Sequence, residues 1–297
     1  MKEYYRIYEE QGADAEINRV VRGLAPRIRE DWDEILTGGR YDMNDALDMV
    51  LAERQYVVEL HAKTGTMCDR LGGFRYKVRV YTGWYSDDGR TGGTARKAED
   101  WDFQEGTESY RISVNMYLVY NNERRVDLLE EILSHELMHT KTGMREAFNN
   151  GVDVNALLGA YGKLVDDNQF KFARYFLSPS ERHSYVQGTY QYMLENTRNE
   201  IKRGGRADKE WFADAFKKSS GCRHMARVAG NIGNLDDDEI REYLESSNTR
   251  WLKKATGIST PDDFKRYFRK SLKDVGMKIL KAAYKGYADA LNWKYEK

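Results

Sequence analysis

The spacing of apolar and polar residues divides the chain into a helical beginning, a strand-rich middle and a long helical end. Residues 12–35 predict one or two short helices, because Pro26 interrupts their helical spacing. Residues 44–63 predict another helix, with Asn44 as its capping residue and apolar side chains along one face. Together these intervals predict a helical N-terminal segment over residues 1–72.

Two segments in the middle of the chain alternate polar and apolar residues and are rich in β-forming types. Residues 74–81 and 110–120 each predict a strand. The Gly-, Asp- and Thr-rich residues 82–107 predict a long loop or an irregular hairpin between them. A helix then begins after Asn122, a capping residue, and Gly143 is placed to end it.

Everything beyond residue 153 has the composition and spacing of helices. Two helix starts are sharp, because Ser178 and Thr260 each place a hydroxyl just before a proline, with an acidic residue shortly after. The last helix, residues 261–294, carries an aromatic stripe of Phe264, Tyr267, Phe268 and Tyr284. Such a stripe must be buried on its own chain or on a partner. We therefore expect residues 204–297 to form a helical C-terminal region that can mediate association with a protein partner or a second copy.

The predicted helix at residues 122–143 contains an HExxH motif, His135-Glu136-Leu137-Met138-His139, which indicates a metal-binding site. His135 and His139 are separated by one helical turn and therefore lie on one face, where both imidazoles can reach a single ion. Glu136 projects beside that face, where it can take a proton from water bound to the ion. The alternative is a helix that carries the two histidines as half-buried polar residues. Lys141 occupies a position two residues after His139 that is usually apolar in such helices.

A catalytic zinc site needs a third protein ligand, and Glu181 is the best candidate. It opens a helix on which Ser184 and Gly188 follow on the same face, and such small side chains allow two helix backbones to approach closely. Glu181 can instead be the acid of a capping box. The weaker candidates for the ligand are His183, Glu195, Asp166 and Asp167, whereas His61 and His224 are taken as ordinary polar residues.

A strand pair, an HExxH helix and a later Glu181-x-x-Ser184 helix resemble the gluzincin metallopeptidases, above all their minimal forms and the cytoplasmic repressor-cleaving metallopeptidases of mobile elements. The resemblance covers residues 74–200 and departs at Ser184, where that family usually has Ala. It implies an α+β zincin-like domain, here residues 73–203, with a small antiparallel sheet. It also implies that the strand at residues 110–120 lies along the cleft and pairs with an extended peptide substrate.

The implied mechanism follows from the same ligand set. Zinc held by His135, His139 and Glu181 lowers the pKa of a water molecule to about 7, and Glu136 acts as the general base. A further donor must stabilise the oxyanion of the substrate, and Tyr185 and His183 are the nearest candidates along the chain.

Charge and composition limit the partners and the cellular location that we expect for the protein. The formal net charge of zero argues against nucleic acid or an anionic membrane as a whole-protein partner. The N-terminus has no apolar signal region and no apolar run approaches the length of a transmembrane helix, so we expect a cytoplasmic protein. The two cysteines, Cys68 and Cys222, suggest neither a disulfide framework nor a cysteine zinc site.

Three functions fit these features. The first is a zinc-dependent peptidase acting on a protein or peptide substrate. The second is a structural or assembly protein of a larger particle, for instance of a phage or mobile element, in which the metal site is idle or only stabilising. The third is a regulatory or toxin-like protease whose extra helices sense a signal. Because Glu136 is intact, the motif favours an active site over a scaffold.

Overall fold

The computed structural model describes residues 14–62, 74–85, 92–98, 108–121, 128–150, 179–234, 236–245 and 257–293. The strands are β1 (Arg54–Ala62), β2 (Phe74–Gly83), β3 (Gly93–Lys97) and β4 (Glu108–Asn115). The helices are α1 (Ala15–Thr37), α2 (Ala46–Leu51), α3 (Met116–Tyr120), α4 (Leu128–Asn150), α5 (Pro179–Lys202), α6 (Lys209–Lys218), α7 (Ser220–Gly233), α8 (Asp237–Glu245) and α9 (Pro261–Trp293). The expected α+β class, with a small sheet and a helical C-terminal region, is confirmed.

The sheet is mixed, whereas the sequence predicted an antiparallel one. Its strand order is β1-β2-β4-β3, and β1 and β3 each pair antiparallel with their neighbour. The two central strands, β2 and β4, run parallel. The reason is that the segment at residues 82–107, predicted to be a long loop or an irregular hairpin, contains β3, which pairs with β4 and occupies the sheet edge. The β4 strand is therefore an interior strand.

The helix predicted at residues 44–63 is wrong. Asp45, not Asn44, caps the short helix α2, and the chain then forms β1. Tyr56 and Leu60 face the core, while Val57 between them is exposed, which is the alternation of a strand. Apolar residues at positions 57, 58 and 60 fit both helical and strand spacing, so the pattern alone was ambiguous here.

The interruption predicted at Pro26 is also wrong, because α1 is one continuous helix with the proline inside it. A proline in a helix interior costs about 3 kcal/mol. Burial along one face of α1 offsets that cost, since apolar side chains from each turn lie in the core. These buried residues are Ile17, Val21, Leu24, Ala25, Ile28, Trp32 and Ile35.

Two further elements end at other residues than the sequence predicted. The strand β4 ends at Asn115, whose side-chain oxygen accepts from the backbone N–H of Tyr117 and caps α3. The residues from 116 to 120, predicted to continue the strand, therefore form α3. Gly143 does not end α4, which continues to Asn150. A β-carbon at Gly143 would lie 2.4 Å from the Tyr110 hydroxyl oxygen, so the glycine serves close packing of α4 on the sheet. Asn122 and Ser178 lie outside the described residues.

The core has two parts that meet at α5. The first is built from α1, the inner face of the sheet and α4. The second surrounds α9, which packs along α5 and is also contacted by α7 and α8. At Gly286 the helix α9 approaches α5 so closely that a β-carbon would lie 2.3 Å from the backbone oxygen of Tyr190. The α5 helix is thus held between α4 on one side and α9 on the other.

The C-terminal helix begins as predicted, with the Thr260 hydroxyl accepting from the backbone N–H of Asp263 at 3.2 Å. Its aromatic stripe is divided. Phe264 and Phe268 are buried on the chain itself, whereas Tyr267 and Tyr284 are 39% and 63% exposed. Association through this helix, and the domain boundaries at residues 72/73 and 203/204, stay predictions. No helix in the described part of the chain is long and apolar enough to cross a membrane.

Deleting residues 258–297 is expected to unfold or aggregate the protein, because α5 would lose the helix that covers one of its faces. Light scattering together with far-ultraviolet circular dichroism checks this outcome. A truncated chain that keeps its helical content and remains monodisperse would contradict it, and would assign α9 to association instead.

Candidate metal centre

The helix α4 presents the HExxH motif at the boundary between the core and the surface. Leu129, Leu133 and Leu137 are fully buried against the sheet and α1, which fixes the rotation of the helix. On the neighbouring face, His135 and His139 have their ring centroids 4.7 Å apart. Their Nε2 atoms lie 3.0 Å apart. Both imidazoles therefore point at one location, as the one-turn spacing predicts.

Glu181 reaches the same location from the first turn of α5. One of its carboxylate oxygens lies 3.1 Å from Nε2 of His139, and the other lies 3.5 Å from Nε2 of His135. The residue is only 3% exposed. Its place beside the histidines depends on close helix packing at Gly188, where a β-carbon would lie 3.3 Å from the Glu131 backbone oxygen. The small-residue face predicted for α5 is therefore the face that meets α4.

These three side chains form a group that can hold a metal ion. In a tetrahedral site with metal–ligand bonds of roughly 2.0–2.1 Å, neighbouring ligand atoms are about 3.3 Å apart. The distances of 3.0, 3.1 and 3.5 Å between the ligand atoms of His135, His139 and Glu181 lie around that value. Two imidazoles and one carboxylate are also a donor set that catalytic zinc sites use.

The electrostatics of the group favour an ionised carboxylate. Burial raises the pKa of Glu181, but His139 and His135 outweigh burial and hold that pKa well below its ordinary range. Glu181 is therefore negatively charged at neutral pH, which is the form that binds a cation.

Glu136 lies beside the three ligands and is itself buried, with 7% of its surface exposed. Burial raises its pKa, a shift that the negative Glu181 reinforces and the two imidazoles oppose. The backbone N–H of Ala95, in the edge strand β3, donates to its carboxylate. A β-carbon at Gly93 would lie 3.2 Å from a Glu136 carboxylate oxygen, so β3 passes directly over this side chain.

The strand along the site is therefore β3, whereas the resemblance placed residues 110–120 there. Residues 108–115 form β4, which lies between β2 and β3 and has no open edge. Among the described strands β3 pairs only with β4, and its other edge is the one from which the Ala95 N–H donates to Glu136.

Tyr185 borders the group on α5. Its ring meets the His135 ring edge to face, with centroids 4.7 Å apart. Burial raises the pKa of its hydroxyl, and the negative charges of Glu181 and Glu136 raise it further. The hydroxyl therefore keeps its proton at neutral pH and remains a hydrogen-bond donor.

His224 also borders the site, although it was predicted to be an ordinary polar residue. Its ring lies against Tyr185, with centroids 4.7 Å apart. Its Nδ1 donates to the backbone carbonyl of Ser220 at 3.0 Å, which fixes the tautomer of a neutral ring. The pKa of His224 is lowered, and burial is the largest cause. His224 lies on α7, and the Glu131 carboxylate holds the first residue of that helix by accepting from the backbone N–H of Ser220 at 2.8 Å.

The rival ligand candidates are placed differently. His183 is buried on α5 but does not belong to the metal-ligating group among the described residues. Glu195 accepts from Arg198 at 2.9 Å, and His61 contacts Glu16 at 2.6 Å. Asp166 and Asp167 lie outside the described residues. Of the candidates for a third ligand, the structure therefore brings Glu181 to the two histidines.

Lys141, the unusual residue after the motif, has a structural role. Its ammonium nitrogen lies 2.7 Å from carboxylate oxygens of both Asp14 and Glu16, at the beginning of α1. Its side chain is only 11% exposed, and a buried charge of this kind requires such partners. Lys141 thus ties α4 to α1 and points away from the metal-ligating face.

Gln187 completes the junction between α1, α4 and α5. Its side-chain oxygen accepts from the backbone N–H of Asp14, and its nitrogen donates to Asn18 and to the Ser134 hydroxyl. The residue is fully buried, so each of these hydrogen bonds satisfies a group that water cannot reach. The junction joins the residue before His135 to the helix that carries Glu181, and so helps to align the two.

Neither a protein-family model, nor a curated protein, nor a solved structure matches this chain. What can be inferred about its chemistry therefore comes from the geometry of the site.

Proposed function

We propose that the chain is a zinc-dependent metallopeptidase of the gluzincin type. The observation that supports this proposal is the buried convergence of His135, His139 and Glu181, with Glu136 beside them under the edge strand β3. A site that only stabilises the fold is closed by a fourth protein ligand, whereas a catalytic site uses three and leaves one position open. The described residues supply three.

The division of labour follows from the environment of each side chain. When bound, zinc supplies a Lewis acid that polarises a peptide carbonyl and acidifies water. Glu136 accepts the proton of the attacking water and then gives it to the leaving amine. Burial suits it to both tasks, since a raised pKa brings a carboxylate closer to the pH at which it must gain and lose a proton.

Tyr185 is the proposed donor to the developing oxyanion of the substrate. Its hydroxyl stays protonated in this environment, and its ring is held by His135 on one side and His224 on the other. A donor that is already oriented stabilises the charge without further reorganisation. His224 helps to hold Tyr185 in place.

The substrate is proposed to be an extended peptide segment that adds to the open edge of β3. Strand addition supplies backbone hydrogen bonds that do not depend on the peptide sequence. Because Gly93 and Ala95 flank the Glu136 carboxylate, a peptide paired with β3 would pass beside the general base.

A second candidate, an assembly protein with a stabilising metal site, is favoured by one observation. On α9, Met277, Leu280 and Tyr284 are 48%, 38% and 63% exposed and lie on one side of the helix. Such a stripe fits contact with another protein. It is compatible with a peptidase that also assembles, so it does not weigh against the first proposal.

The proposal is tested by incubating the purified protein with a library of peptides in the presence of zinc and identifying new termini by mass spectrometry. Cleavage is expected with zinc, should disappear with a chelator and should return when zinc is added again. Cleavage that is insensitive to the chelator would contradict a metallopeptidase.

A further inference from the structure

The helix α7 begins at a junction of three other helices. Its second residue, Gly221, packs so closely that a β-carbon there would lie 2.4 Å from the Thr189 hydroxyl oxygen on α5 and 3.1 Å from a side-chain carbon of Ile279 on α9. Its first residue, Ser220, contacts α4, because its backbone N–H donates to the Glu131 carboxylate at 2.8 Å. The first turn of α7 is therefore in contact with α4, α5 and α9.

The contact with α4 differs in kind from the other two. Apolar packing has no preferred direction, whereas a hydrogen bond requires a short distance and a nearly straight angle. The bond between Glu131 and Ser220 therefore restricts where the first turn of α7 can lie along its neighbours. It also satisfies one of the N–H groups that have no partner within a helix, at the end where the helix dipole favours a negative charge.

Glu131 makes this bond from the interior of the protein. It is 3% exposed and precedes His135 by one turn of α4. Burial of a carboxylate costs free energy, and an apolar side chain would fill the same space without that cost. The buried acid is thus explained by its bond to α7 and not by the packing of α4 alone.

A continuous series of contacts leads from Glu131 to Tyr185, the proposed oxyanion donor. Ser220 accepts the Glu131 bond at its N–H, and its carbonyl accepts from Nδ1 of His224 at 3.0 Å. The His224 ring lies against the Tyr185 ring, with centroids 4.7 Å apart. On its other side the Tyr185 ring contacts His135 at the same separation. A shift of α7 would therefore move one of the two rings between which Tyr185 is held.

We propose that Glu131 is a positioning residue for the Tyr185 hydroxyl, acting through the first residue of α7 and the His224 ring. This inference rests on the proposed peptidase function, in which that hydroxyl donates to the oxyanion. Such a donor is effective when it is already aimed at the developing charge, and a displacement of about 1 Å can lower a rate about a hundredfold. Because Glu131 lies on the helix that carries His135 and His139, its bond to α7 keeps the donor aligned with the metal ligands.

Two variants remove the bond from opposite ends. Glu131→Ala removes the acceptor. Ser220→Pro removes the donor at the first position of a helix, where proline is favoured, and Ser219 before it already has the extended ψ of 148° that precedes a proline. Ser220→Ala keeps the N–H and controls for the side chain. The matched control on α4 is Glu130→Ala, because this neighbouring carboxylate pairs with Arg29 of α1 instead.

Both bond-breaking variants are expected to lower kcat for a cleaved peptide about ten- to a hundredfold, with KM and zinc content unchanged. KM should not change because the oxyanion forms only in the transition state. Glu131→Gln should recover most of the loss, since an amide oxygen still accepts from the Ser220 N–H. The two controls should keep the wild-type kcat. In a Tyr185→Phe background, Glu131→Ala should cause no further loss, because it acts through the tyrosine.

The geometry is measured separately in the metal-free protein, without catalysis. Nuclear magnetic resonance of nitrogen-15-labelled histidine reports which ring nitrogen carries the proton, and at neutral pH His224 should carry it on Nδ1 in wild type and in both controls. Glu131→Ala and Ser220→Pro should each shift the His224 and Tyr185 ring signals. Circular dichroism shows whether each variant is folded, and Ser220→Pro keeps the test decisive if Glu131→Ala does not fold.

Three results would overturn the proposal. Unchanged His224 and Tyr185 signals in both variants would show that the bond does not hold α7 against the site. An equal loss of kcat in Glu130→Ala would indicate a general effect of carboxylates on α4. A further loss from Glu131→Ala in the Tyr185→Phe background would show that Glu131 acts through another group. A wild-type protein that cleaves no peptide would instead refute the peptidase function itself, whatever the resonance signals show.

Discussion

Replacing Glu136 by glutamine is expected to lower peptidase turnover by at least about a hundredfold while zinc remains bound. The amide has nearly the shape of the carboxylate but cannot accept the proton of the attacking water. Since Glu136 lies beside the three ligands and is not one of the metal-ligating group, its replacement should leave the metal site assembled. Turnover of a cleaved peptide, together with zinc content, measures both parts of the expectation.

The matched control for this variant is Glu195→Gln. Glu195 is another carboxylate of the helical core, but it accepts from Arg198 and belongs to no metal-ligating group among the described residues. Its replacement should leave turnover unchanged within a small factor. If Glu136→Gln cleaves the same peptides at the wild-type rate, the activity does not come from this site.

Replacing Glu181 by alanine is expected to weaken zinc binding by more than about a hundredfold, whereas Glu195→Ala leaves it unchanged. Even residues that only orient a metal ligand contribute roughly ten- to a hundredfold to affinity, and removal of the ligand itself should exceed that. The physical reason is the loss of the one negative charge that contacts both His135 and His139. Competition with a chromophoric chelator measures the affinity.

A different outcome follows if Glu181 is only a capping residue of α5. Its replacement would then lower the free energy of unfolding by about 0.5–2 kcal/mol and leave metal affinity intact. Thermal unfolding in the presence of a chelator separates the two roles, because it isolates the stability of the metal-free fold. Metal affinity retained in Glu181→Ala would transfer the ligand role to another residue.

The local part of the site was predictable from the sequence because it depends on one helix. The spacing of His135 and His139 determines that they share a face, whatever the rest of the chain does. Glu181 was predictable for a similar reason, since Ser184 and Gly188 mark the face of α5 along which another helix can approach. Both inferences use the period of a helix and the size of side chains.

The parts that could not be predicted depend on contacts between distant segments. His224 lies against Tyr185 because α7 packs beside α5, with its first residue bonded to Glu131, and no feature of residues 220–233 indicates that contact. Lys141 departed from the expected pattern for the same kind of reason, because its partners are Asp14 and Glu16 on α1. Hydrogen bonds and ion pairs between residues that are far apart in the sequence leave no periodic pattern in it.

The topology of the sheet was misread for a related reason. A strand of five residues such as β3, in a stretch rich in Gly and Thr, has the composition of a loop. Once β3 is present it becomes the edge strand beside Glu136, and β4 becomes an interior strand. One short element therefore changes both the direction of pairing in the sheet and the strand that lies along the site.

The measurement that tests the metal centre most directly is elemental analysis of the purified protein after zinc reconstitution and removal of loosely bound metal, with wild type and His135→Ala side by side. Because His135, His139 and Glu181 form one group, wild type should retain about one zinc ion per chain and the variant close to none. A wild-type protein without zinc, or a His135→Ala variant that retains as much as wild type, would contradict the account.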